Sequence, residues 1–101
     1  MAPLPDQAQE NLTSLIEGGL ELAHDFLEDA VVHLQLRHYV LAGEALRDAS
    51  QTVDFVERYL PSVVESNKLV RYQADVSTAR ERVQGLDQSI SLEGTKSPLV
   101  I

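Results

Sequence analysis

Apolar side chains return once per helical turn along most of this chain, in three series separated by short polar breaks. Leu12, Ile16, Gly19, Ala23, Phe26, Ala30 and Leu34 recur at steps of four and three. That spacing sets them on one helical face and predicts a helix over 6–35. Asp6, with Gln9 three residues on, reads as a D-x-x-Q capping box at its start. The series passes straight through Gly18 and Gly19, and each glycine costs a helix interior about 1 kcal/mol relative to alanine. A continuous helix is expected, with that pair as the weakest point.

A second series, Ala42, Leu46, Ala49, Val53, Val56 and Leu60, predicts a helix over 39–60. It is entered through the short connection Leu36-Arg37-His38, which implies antiparallel neighbours. Ala30 on one helix and Ala42, Ala45 and Ala49 on the other are small enough for close approach. Pro61 stops the second helix, and Ser62-Val63-Val64-Glu65 reads as a capping box opening a third over 62–90. There Leu69, Tyr72, Val76, Ala79, Val83, Leu86 and Ile90 keep strict three-four spacing, the pattern of a coiled-coil seam. Beyond Ile90 the pattern stops, and 91–101, with Gly94, Ser97 and Pro98, reads as a flexible tail. No alternating Val/Ile/Thr run marks a strand. The expected fold is all-α, an antiparallel bundle of about three long helices in one domain with a coiled-coil-like third helix.

Composition adds limits more than identity. A chain of 101 residues suits one core. With no cysteine there is no disulfide framework, thiolate metal site or thiol nucleophile. The opening residues lack the basic-then-apolar pattern of a secretory signal, and no apolar run approaches a membrane-spanning length. A cytoplasmic protein without membrane insertion is expected.

Charge changes the picture most. The formal net charge is -8. Up to Leu36 there are seven acidic residues and no Lys or Arg, whereas the remainder carries nine acids and eight bases. Phosphate-backbone binding needs clustered cations, so no nucleic-acid partner is expected and a basic protein surface is favoured. Glu17, Glu21, Asp25 and Asp29 recur at steps of four and form a carboxylate ridge opposite the apolar face. Such a ridge is either a solvated face or a dock for a cationic partner, Arg71, Arg80 and Arg82 of a second copy included.

Phe55 and Tyr59 fall off the main face of the second helix, and Val63, Val70 and Ala74 form a second stripe at the start of the third. Either these stripes meet neighbouring helices within the bundle, or they serve another subunit, as exposed aromatic side chains often do. Phe55, Tyr59, Val63, Val70, Glu17, Glu21, Asp25 and Asp29 are therefore the candidate partner-binding residues.

Catalytic signals are sparse. Glu21-x-x-His24 has the helical spacing used in di-iron bundles, but those need a second such pair and two more carboxylates. No serine sits in a nucleophile motif, and Gly18-Gly19 is flanked by Glu17 and Glu21 rather than by a phosphate-binding loop. No enzyme activity, cofactor or metal is expected. Leu99-Val100-Ile101 has the apolar-x-apolar form that strand-addition clefts accept at a C-terminus.

The stretch from Phe26-Leu27-x-x-Ala30 to Tyr39-x-x-Ala42-x-x-Ala45-Leu46-x-x-Ala49 resembles the paired helices of tetratricopeptide-like and trafficking-type hairpins. It occurs once and lacks the turn glycine, so no family follows from it. Ala79-Arg80-Glu81-Arg82-Val83-x-x-Leu86-Asp87 looks like the heptad tails of small coiled-coil subunits. The expectation is a non-enzymatic interaction module, an adaptor, small chaperone or assembly subunit that pairs with itself or another chain through apolar helix faces. The alternative is an acidic inhibitor or antitoxin-like protein whose carboxylate ridge occupies a basic cleft.

Overall fold

The computed structural model describes residues 6–96, with 94–96 described by their backbone alone. Three helices account for nearly all of it: α1, Asp6–Gln35; α2, Tyr39–Tyr59; and α3, Ser66–Lys96. A single 3-10 turn, Leu60–Ser62, follows α2. The molecule is an all-α bundle drawn out to 63 × 19 × 16 Å.

α1 and α2 form the tightest pair, and small side chains are the reason. Ala23 and Ala30 of α1 and Ala42 and Ala49 of α2 are all buried. At Gly19 the approach is so close that an added Cβ would lie 2.6 Å from Val56 Cγ2. A larger residue there would force Val56 or the helices to shift, and α1 runs unbroken through the Gly18-Gly19 pair.

The α1–α2 turn is a Schellman motif. The His38 amide donates to the His33 carbonyl at 2.8 Å and the Arg37 amide to Leu34 at 3.0 Å. Arg37 takes the left-handed conformation, φ 61°, in the position usually given to glycine. The rings of His33 and His38, centroids 6.0 Å apart and tilted by 39°, supply the side-chain contact that accompanies the motif.

α3 packs more loosely on one side of this hairpin. Its seam faces inward as the three-four spacing implies. Tyr72 and Val76 are buried in a cluster with Leu12, Ile16, Val53 and Val56, and Leu69 packs against its edge. Ala79, Val83, Leu86 and Ile90 are half-buried against Leu27, Ala30, Ala45 and Leu46. The heptads are thus used within the chain.

Two helix boundaries differ from expectation. The third helix begins at Ser66 instead of Ser62, because Pro61 sets a 3-10 turn and the chain leaves it extended at Val63, φ -76° and ψ 124°. Gln9 then holds the connection: its amide donates to the Ser62 carbonyl at 3.0 Å, and its oxygen accepts from the Val64 amide at 3.2 Å. The glutamine expected to cap α1 thus caps a segment 53 residues away. At the other end, α3 continues through 91–96, where a flexible tail was expected, since no proline interrupts it before Pro98. Residues 97–101, with Leu99-Val100-Ile101, lie outside the described residues.

Candidate interaction groove

Because α3 covers one side of the α1–α2 pair, the opposite side is left open. Along it runs a groove of about 610 Å³. Leu15, Leu22 and Phe26 from α1 and Phe55 from α2 give it apolar walls, Asp48, Gln51 and Thr52 complete the α2 side, and Ser14, Gly18 and Gly19 form the floor. Leu15 is 42% exposed, Leu22 47% and Phe55 37%, and the groove brings them together as one apolar patch. Phe55 meets Tyr59 edge to face, ring centroids 5.1 Å apart, which fixes an aromatic wall at one end. Nothing lies within 4 Å of a Cβ added at Gly18, so the floor opens directly to solvent.

The expected partner-binding residues divide in three. Phe55 and Tyr59 are exposed, with Phe55 in the groove wall. Val63 is 8% exposed and belongs to the core, a correction that follows from the extended chain after Pro61 turning it inward. Val70 is 64% exposed on α3, apart from the groove residues, so Phe55, Tyr59, Val63 and Val70 do not form one surface.

The carboxylate ridge divides as well. Successive steps of four residues advance by about 40° around a helix, so the ridge winds from the α3 side toward the open side. Glu17 lies against α3, accepting from Arg71 at 3.2 Å and from the buried Tyr72 hydroxyl. Burial, reinforced by the bond to Glu17, raises the Tyr72 pKa above its ordinary value. Glu21 borders a cleft shared with His24, Asp75 and Arg82. Asp25 and Asp29 reach the groove side, a heptad beyond Gly18 and Leu22. A ridge lacking local counter-charge is therefore corrected: α3 brings cations to its first half.

Arg71, Arg80 and Arg82, candidate counter-charges from a second copy, are engaged within the chain. Arg82 reaches Glu28 at 3.3 Å, and Arg80 bonds Asp54 at 2.7 Å and also Glu57. Hydrogen bonding to Asp54 leads the effects that raise the Arg80 pKa. His24 stands 3.6 Å from Glu28, with an Arg82 nitrogen 3.3 Å from its Nδ1, so a guanidinium occupies the space beside the Glu21-x-x-His24 pair. Among the described residues no group of three or more His, Asp or Glu is placed to hold a metal ion, and no helix is long and apolar enough to cross a membrane.

Leu15, Leu22 and Gly18 were not foreseen as a surface. Leu15, Leu22 and Phe26 are spaced by seven and four, a second α1 stripe that a two-face reading of the helix exposes. No family model matches this chain, and neither a curated protein nor a solved structure does.

Proposed function

We propose that this chain is a non-enzymatic helical interaction module, an adaptor or assembly subunit, whose α1–α2 groove receives a protein partner. The observation that carries the reading is the exposure of Leu15, Leu22 and Phe55 in one continuous groove on the side that α3 leaves open. Large apolar side chains gathered in this way gain about 25 cal/mol per Å² when covered. Two of the polar groups that could serve chemistry are engaged in holding the fold. The Tyr72 hydroxyl donates to Glu17, and His24 is flanked by Glu28 and Arg82. A cytoplasmic setting is part of the proposal and suits a chain without cysteine.

The alternative, an acidic inhibitor docking through Glu17, Glu21, Asp25 and Asp29, draws less support because Glu17 already bonds Arg71 and Tyr72. A Leu22→Glu, Phe55→Glu double variant separates the two readings. Affinity capture is expected to retain a partner on the unaltered protein and lose it on the variant, with unchanged circular dichroism. Retention on the variant and loss on Asp25→Asn, Asp29→Asn would favour the acidic dock instead.

A further inference from the structure

Covering this groove requires an occupant whose chemistry its shape and rim both define. Leu15 to Phe26 spans about 17 Å of helix axis, about three turns, and the floor at Ser14 and Gly18 has almost no side-chain bulk. A groove between two antiparallel helices with a shallow floor accepts a third helix at ordinary packing distance, about 8–10 Å between axes. An apolar helix face fills such a groove without leaving backbone groups unpaired, as an extended segment would.

The rim then gives the sign of its polar flanks. Asp48 borders the groove directly. Asp25 and Asp29 lie one heptad beyond Gly18 and Leu22, and Glu44 one heptad before Gln51, so all three continue rows that line it. The carboxylates of Asp25, Glu44 and Asp48 take part in none of the ion pairs or side-chain hydrogen bonds among the described residues. Asp29 has only His33, at 4.0 Å. The arginines of α3 are turned to the other side, held by Glu17, Glu28, Asp54 and Glu57. Arg58, one heptad beyond Gln51 at the aromatic end, and Arg37, one heptad before Glu44 in the α1–α2 turn, are the cations that continue this row.

Resting on the reading of the groove as an interaction face, we propose that its occupant is one amphipathic helix of another protein, apolar on one face and flanked by Lys or Arg. It completes a four-helix arrangement, its cations opposite Asp25, Asp29, Glu44 and Asp48. A second copy fits poorly. Each chain carries a net charge of -8, and pairing this face with itself sets the four carboxylates of one copy against only Arg37 and Arg58 of the other.

The test uses the full chain and two synthetic helices of about five turns with the same leucine face, one flanked by lysine and one by glutamate. The expected result is one-to-one calorimetric binding of the Leu/Lys helix, at least tenfold tighter than the Leu/Glu helix at low salt. Gly18→Leu is expected to weaken binding about tenfold or more by filling the floor, with circular dichroism unchanged, since nothing stands within 4 Å of a Cβ there and leucine favours the helix. Asp25→Asn, Asp29→Asn, Asp48→Asn is expected to flatten the salt dependence, while Glu17→Gln on the α3 side leaves it intact. Equal binding of both helices, still blocked by Gly18→Leu, would overturn the basic-helix inference and keep the groove as a docking face. A dimer seen by light scattering and abolished by Gly18→Leu would overturn it in favour of a second copy. Binding of neither helix, with a strictly monomeric protein, would overturn the inference and remove support from the groove reading as well.

Discussion

Two adjacent glycines in α1 do opposite things. Gly19 permits Val56 to sit against the α1 backbone, whereas the space above Gly18 is empty. Gly19→Ala is expected to destabilise by about 1–3 kcal/mol through overpacking. Gly18→Ala should stabilise by up to about 1 kcal/mol through helix propensity. Paired urea denaturation curves check both, and equal effects would contradict the packing described here. Arg37 offers a similar contrast, since its left-handed backbone costs a residue with a Cβ about 1–2 kcal/mol. Arg37→Gly is therefore expected to raise stability by about 1 kcal/mol in the same assay.

Tyr72 links residue chemistry to pH. Its raised pKa means the folded state holds the phenolic proton more tightly than the unfolded chain. The stabilisation is complete below the unfolded value of about 10 and is lost as pH rises through the higher folded value. Urea midpoints measured across that alkaline range should fall for the unaltered protein. Tyr72→Phe should cost about 1 kcal/mol near neutrality and show a shallower alkaline fall.

At the scale of elements, α1 and α2 are held by buried alanines and a glycine contact, while the second half of α3 rests on half-buried Val83, Leu86 and Ile90. Amide hydrogen exchange is expected to show the strongest protection in α1 and α2 and earlier exchange in α3 after Val83. Uniform protection along α3 would contradict that ranking.

Much of this was legible beforehand. The three-four spacings of Leu12 to Leu34, Ala42 to Leu60 and Leu69 to Ile90 mark the three helices and their inward faces, because side-chain periodicity is a local property of the chain. The start of α3 was not legible, because Gln9 stabilises the extended link from far away in sequence, and no local pattern carries that contact. The groove was hidden for a related reason. α1 has two apolar stripes, and only the placement of α3 decides that the stripe of Leu15 and Leu22 stays open. Val63 and Val70 looked equivalent by spacing, and the break at Pro61 separated them.

At the scale of the molecule, charge and shape are partitioned together. One side of the hairpin carries α3 with its arginines bound to Glu17, Glu28, Asp54 and Glu57. The other carries an apolar groove whose rim carboxylates have little internal compensation. This asymmetry is what a bundle lacking one helix presents, and it gives the proposed partner both a place and a sign.

Amide chemical-shift mapping of the isotope-labelled protein, titrated with the Leu/Lys helix, tests this most directly. Shifts concentrated at Ser14, Gly18, Leu22, Thr52 and Phe55, with α3 residues Val70 and Arg71 unmoved, are expected. Shifts centred on α3, or scattered evenly over every acidic residue, would contradict the groove as the site where a partner docks.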